Sequence, residues 1–185
     1  NATNDIRWGQ RDGTFGLKNI DFEKDQTTDA GSSSNTAKIL LLGDCKFAGV
    51  TVTSGDTLDI NGQRMQLSGT LTNQGITKDS ASSGGQIHTT GGINYGSASW
   101  TDVATLNTTD YIQTGTDTHY IQAFPFKNIF MNGSGAPSFG DYGPNSNTTN
   151  LIVGAGAPVD FGQSGSAGGT STLKNITIAT GGTIT

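Results

Sequence analysis

Cysteine, histidine, glutamate, charge and long apolar runs are all scarce in this chain, and each shortage closes off a class of function. One cysteine, Cys45, in 185 residues excludes an internal disulfide framework and any multi-cysteine metal site. Its expected place is that of a small buried hydrophobe beside the apolar run ILLL at 39–42. Glu23 is the one glutamate, and the other acids are aspartate, a turn residue. No apolar stretch approaches the length of a transmembrane helix, so no membrane insertion is expected, and no secretory signal is visible. The chain opens on Asn1 rather than Met, which reads as a processed product, a fragment or part of something longer. Fifteen acidic residues against ten basic ones give a net charge of −5, against a nucleic-acid surface, which needs a basic stripe for phosphates.

Hydrophobic residues make up 32% and charged residues 14%. Disordered chains usually combine low hydrophobicity with high charge; here the apolar residues alternate with small polar ones instead. Helix formers are few, so little or no α-helix is expected. Glycine (28 residues), Thr, Ser and Asn dominate, which suits short Thr-rich strands joined by many turns.

The stretch FAGVTVTSGDTLD (47–59) aligns without a gap to LKNITIATGGTIT (173–185). Apolar positions coincide, and the turn glycines Gly55 and Gly181 coincide. Shorter copies open at LKNIDF (17–22) and FKNIFM (126–131), and a degenerate one at 152–161 matches Gly156 with Gly55, Val159 with Leu58 and Asp160 with Asp59. Period-two spacing buries Val50 with Val52 and Leu58 with Ile60, and positive φ is expected both at the Asn or Gly before the first strand and at the glycine after it. Such a unit buries its apolar face by stacking on neighbours. The expected fold is all-β, a parallel β-helix or β-solenoid with irregular rungs and long Gly/Ser loops. A β-sandwich or jelly roll is the alternative, because short strands at 65–67, 70–72, 86–88, 111–113 and 119–124 also fit one. Residues 1–46 read as an N-terminal β segment that contacts an assembly. Residues 47–185 read as a repeat-containing β domain with loop-rich insertions at 79–99 and 132–149. The last copy stops partway, so either the chain continues or its terminal strand pairs with a neighbouring subunit.

Chemistry is thinly signalled. His88 and His119 are the two histidines; Asp117 shares a strand face with His119, yet no nucleophile motif accompanies them. Walker, zincin, Rossmann and CxxC motifs are absent. Asp21, Glu23 and Asp25 alternate and would share one strand face, a candidate site for a structural divalent cation. Their bland reading is a solvated face beside Lys24. Asp59 and Asp160 hold equivalent repeat positions and should point outward. Neither set makes the carboxylate pair of a glycosidase. Ligand-binding candidates are Tyr95, Trp100 and Tyr142, isolated aromatics in or beside the two loop-like segments. Asn-x-Ser/Thr sequons at Asn1, Asn107, Asn132, Asn147 and Asn175 are expected by chance in this composition.

FAGVTVTSGDTLDINGQ (47–63), with its echo at 173–185, resembles the repeats of β-helical surface proteins. These include bacterial autotransporter-type adhesins and, more closely, structural proteins of tailed-phage virions. SGDTLDINGQRMQLSGTLTNQG (54–75) in particular looks like segments of tail fibre, spike and capsid-decoration proteins. The resemblance covers a minority of the chain and carries over no functional residue, since such proteins share a scaffold rather than a site. It implies a non-enzymatic structural protein of a virion surface, a homo-oligomer among other virion or surface-assembly proteins. The alternative it implies is a carbohydrate-binding or adhesin module, on a phage or bacterial extracellular surface, that engages a host-surface glycan. No catalytic residue and no cofactor is expected.

Overall fold

The computed structural model describes residues 7–8, 13–18, 21–22, 26–28, 37–81, 84–95, 106–116, 126–135, 149–159 and 173–185, and structural statements refer to these. Strands follow one another as β1 (Arg7–Trp8), β2 (Gly13–Leu17), β3 (Asp21–Phe22), β4 (Gln26–Thr28), β5 (Ala37–Leu41), β6 (Cys45–Phe47), β7 (Val50–Val52), β8 (Thr57–Asp59) and β9 (Arg64–Leu67). They continue as β10 (Thr70–Asn73), β11 (Ile76–Lys78), β12 (Gln86–Thr89), β13 (Gly92–Tyr95), β14 (Asp110–Gln113), β15 (Asn128–Met131), β16 (Asn150–Val153), β17 (Pro158–Val159), β18 (Asn175–Ile178) and β19 (Thr183–Ile184). One 3-10 turn, Leu106–Thr108, is the helical element among the described residues, and no helix there is long and apolar enough to cross a membrane.

Every strand pair described is parallel. From β1 to β12 the chain visits three sheets in the same order on each circuit. The first sheet is β1-β4-β7-β10-β13, the second β2-β5-β8-β11. The third, eight strands long, is β3-β6-β9-β12-β14-β15-β16-β18, and β17 pairs with β19. This is the β-solenoid expected from the repeat. The sandwich alternative fails because hairpin-linked sandwiches pair their strands antiparallel.

Alternation decides which side chains enter. Val52, Leu71 and Ile93 from the first sheet meet Ile39 and Leu58 from the second and Phe47, Met65, Leu67, Ile87, Ile129, Leu151 and Val153 from the third in one core. Each such side chain contributes about 1.5–3 kcal/mol through burial. Cys45 joins this core, and its thiol donates to Gly43 O at 3.3 Å. Tyr111 and Phe126 stack inside with centroids 5.2 Å apart. Ile176 and Ile178 lie in register with Leu151 and Val153 but are 51% and 48% exposed.

The repeat seen in the sequence turns out to mark a corner rather than a rung. Gly55, Gly156 and Gly181 each hold the third place of a four-residue turn at positive φ (90°, 71° and 78°). The turns are closed by Asp56 N to Thr53 O, Ala157 N to Gly154 O and Gly182 N to Ala179 O. Type II turns require glycine there. The strands before these turns, however, lie in different sheets: β7 in the first, β16 and β18 in the third. The alignment of 47–59 with 173–185 therefore superimposes two different corners.

True register runs through a second glycine set. Phe47, Leu67, Thr89, Gln113 and Met131 are in register on the third sheet. Two residues past each stands Gly49, Gly69, Gly91, Gly115 or Gly133. A Cβ on Gly69 would sit 2.7 Å from Ala48 O, and Cβ atoms on Gly115 and Gly133 would overlap Thr90 O and Gly115 O. Successive circuits approach too closely at this corner for any side chain. The stretch 79–99, expected to be a loop-rich insertion, carries β12 and β13 within the stack, and its Gly91 belongs to this corner rather than to a loop. Of the second expected insertion, residues 136–148 lie outside the described residues, as does the expected strand at 119–124.

Gly115→Ala should destabilise the fold by about 3 kcal/mol or more, because its Cβ meets backbone that cannot move aside. Gly55→Ala meets open space and should cost only about 1 kcal/mol of φ strain. Urea denaturation of both variants checks the order; equal losses would contradict the packing argument.

Candidate functional site

Polar chemistry gathers at three places among the described residues: buried aspartates at the corners, an amide column on the third sheet, and a hydroxyl-lined trough at the glycine corner.

Asp56, Asp59 and Asp79 are 1%, 0% and 3% exposed. A buried carboxylate is tolerated only when its oxygens are bonded or paired. Asp56 accepts from Ala37 N at 2.8 Å and Thr53 Oγ1 at 2.6 Å. Asp79 Oδ1 accepts from Gly62 N (2.8 Å) and Ala81 N (3.2 Å), and Oδ2 from Gly85 N (2.9 Å) and Thr109 Oγ1 (2.9 Å). One side chain thus fastens three consecutive circuits. Asp59 Oδ1 accepts from Asn61 N and Ser80 N, and its Oδ2 lies between Lys38 Nζ (3.5 Å) and Lys78 Nζ (3.7 Å). The outward, solvated Asp59 expected from the repeat is corrected here. It does occupy an outer strand position, in register with Leu40 and Lys78, but the paired lysines and the corner N–H groups make burial affordable. Asp44 plays the exposed version of the part, accepting from Arg64 N at 3.0 Å and pairing with its guanidinium at 3.1 Å.

On the third sheet, Asn175 Nδ2 donates to Asn150 Oδ1 (2.8 Å), Asn150 Nδ2 to Asn128 Oδ1 (2.9 Å), and Asn128 Nδ2 to Asp110 Oδ1 (2.8 Å). A carboxylate stands where the column needs only an acceptor. Stacked amides of this kind bond only when consecutive strands keep strict register. Ile112, Phe130 and Ile152, half-buried, form the next outward column.

The trough, about 610 Å³, is lined by Ser68, Gly69, Thr70, Thr90, Gly91, Gly115 and Thr116. Its floor is the glycine stack and its walls carry hydroxyls; Thr90 Oγ1 donates to Ser68 O. No titratable group lines it, so its chemistry is neutral hydrogen bonding.

Most of the candidates from the sequence lie outside the described residues. Asp21 sits in β3 in register with Lys46, while Glu23 and Asp25 lie outside the described residues. Tyr95 ends β13; Trp100, Tyr142, His119, Asp117 and Asp160 lie outside the described residues. Among the described residues no three His, Cys, Asp or Glu side chains gather as metal ligands would. His88 faces outward beside Gln86, whose Oε1 is 3.2 Å from Nε2. Gln66 and Ile112 flank it in register. Partial burial, then the charge of Arg64, lowers its pKa. Sequence reasoning missed Asp44, Asp56 and Asp79, which composition alone reads as turn residues. The KNI tripeptides at 127–129 and 174–176 drew attention to Asn128 and Asn175 as positive-φ positions; neither adopts positive φ, and both serve the amide column instead.

Asp79→Asn replaces one acceptor oxygen with an N–H₂ group that must face existing donors, and should destabilise by about 2–3 kcal/mol. Asp44→Asn, at an exposed pair, should cost under about 1 kcal/mol; denaturant titration distinguishes the two. For His88 the unfolded chain takes up its proton first as pH falls through the ordinary value of 6.5. Stability is therefore lost on acidification below that value until the folded imidazole also protonates. His88→Gln should flatten this part of the curve of thermal midpoint against pH, and an unchanged slope would contradict the assignment.

Comparison with protein-family models, with curated proteins and with solved structures finds no match.

Proposed function

We propose that this chain is a non-enzymatic structural component of a virion surface, of the capsid-decoration or fibre type, that works by self-association and by presenting a rigid exterior. The observation carrying the structural part is the Asp110–Asn128–Asn150–Asn175 column with its inter-amide bonds. Together with the corner aspartates, it commits polar side chains to fastening circuit to circuit instead of converging on a substrate. The virion setting rests on the resemblance of 47–75 and 173–185 to phage structural repeats. Partners on this reading are further copies of the chain and neighbouring surface proteins.

A second reading, a carbohydrate-engaging module, is favoured by the hydroxyl-lined trough at Ser68, Thr70, Thr90 and Thr116, since neutral hydroxyls suit hydrogen bonding to sugars. On this reading the partner is a host-surface glycan.

Light scattering on the purified chain should give a multiple of 19.1 kDa, and the chain should co-sediment with particles from a virion preparation. A monomer at all concentrations that binds no particle would remove the first reading. Glycan-array binding that is lost on Thr90→Val, with the fold intact, would favour the second.

A further inference from the structure

The described residues include two Asn-Gly pairs, Asn61–Gly62 and Asn132–Gly133, and the fold treats them oppositely. We infer that Asn132 is a site of spontaneous covalent modification in the folded protein, its carboxamide converting to aspartate and isoaspartate, and that Asn61 is protected from the same reaction.

The chemistry is intramolecular. The backbone nitrogen of the following glycine attacks Cγ of the asparagine, forming an N–Cγ bond and breaking Cγ–Nδ2. The backbone proton leaves with the amide nitrogen as ammonia, and a succinimide ring remains. A solvent water then opens the ring at one carbonyl or the other, giving aspartate or its backbone-lengthened isomer. Glycine after asparagine favours the attack because no Cβ hinders the nitrogen.

At Asn61 both reacting groups are held. Its carboxamide donates to Leu41 O at 3.0 Å on the preceding circuit, and the Gly62 N–H donates to Asp79 Oδ1 at 2.8 Å. The nucleophilic nitrogen would have to give up its proton beside a buried carboxylate that already bonds it. Backbone geometry is fixed as well: Asn61 stands at φ 51° and Gly62 at φ 71°, closed by Gln63 N to Ile60 O.

At Asn132 neither group is held. The side chain is exposed, and among the described residues no hydrogen bond engages its carboxamide or the Gly133 N–H. Its Oδ1 rests over Gly154, 2.5 Å from where a Cβ would stand, so the glycine on the next circuit leaves the carboxamide room. The product has consequences, because Gly133 is buried and packs directly on Gly115. An isoaspartate adds a backbone carbon at a corner with no slack, and each event adds one negative charge.

The test uses protein made in a host without N-glycosylation, since Asn132 lies in a sequon. It is incubated folded at mildly alkaline pH, and in parallel in denaturant. Peptide mapping by mass spectrometry and enzymatic isoaspartate methylation read both sites. In denaturant the two pairs should convert at similar rates. In the folded protein Asn61 should convert about tenfold or more slowly than Asn132, because two hydrogen bonds must first break. Acidic charge variants should accumulate in the wild type and be absent from Asn132→Gln. Equal rates in the folded protein, faster loss at Asn61, or an Asn132 that stays intact when folded but converts in denaturant would each overturn the inference.

Discussion

Backbone hydrogen bonding between consecutive circuits cannot stop at the strand ends in this fold, because the strands run only from two to five residues. A stack of such short strands would leave many corner N–H groups buried and unpaired, each costing as much as a lost hydrogen bond. The ladder is instead carried round the corner: Ser68 N reaches Phe47 O, Thr114 N reaches Thr89 O, and Asn132 N reaches Gln113 O. That continuity demands close approach, and close approach demands the glycines at 69, 91, 115 and 133. Where the turn is too open for carbonyls to reach, an aspartate oxygen takes the N–H instead, as at Ala37, Gly62 and Gly85.

The same constraint accounts for aspartate at the described corners. A corner carboxylate has to bond N–H groups next to its own backbone and one circuit away, and the short aspartate stem does this with little side-chain entropy to lose. A glutamate would carry the charge past the turn. Burying three carboxylates is expensive unless each is compensated. Here compensation comes from backbone N–H groups, from Thr53 and Thr109, and at Asp59 from two lysine stems laid along the second sheet. Among the described residues, Asp44, Asp56, Asp59, Asp79 and Asp110 all serve to fasten structure.

Strand character, parallel stacking and the turn glycines were legible in the sequence because they are local: alternation at 50–52 and 58–60, glycine at 55, 156 and 181. Register was not. Circuits along the third sheet are 18, 22 and 25 residues apart between Asp110, Asn128, Asn150 and Asn175, so no fixed period exists to detect. The best gapless alignment joined two corners of different sheets, since any tight turn after two inward-facing residues produces the same pattern. The signal that does mark register is the glycine four residues after Cys45, Met65, Ile87, Tyr111 and Ile129. It is obscured because the intervening inward position changes character, from Phe47 and Leu67 to Thr89 and Gln113. Thr89 is accommodated by its 2.9 Å hydrogen bond to the Tyr111 hydroxyl, a relation between circuits that no local pattern carries. Burial of Asp59 was equally illegible, because it depends on Lys38 and Lys78 arriving from neighbouring circuits.

Most of the buried ionic and amide chemistry described is therefore engaged between circuits, and the described exterior carries the amide column, the half-buried Ile112, Phe130 and Ile152 beside it, the hydroxyl trough and exposed charges such as Lys127 and Lys174. Recognition by such a surface would come from many weak, regularly spaced contacts rather than from one deep pocket. Regular spacing favours partners that are themselves periodic, which fits both a lattice of like subunits and a polymeric glycan. The two differ in what they require of register. A subunit lattice needs the whole column to stay in step, so that an error at one corner spreads along the contact. A glycan held at one trough needs only three circuits to agree. The strict bonding of Asn128, Asn150 and Asn175 is the sort of long-range order a lattice would require, and it favours the structural reading.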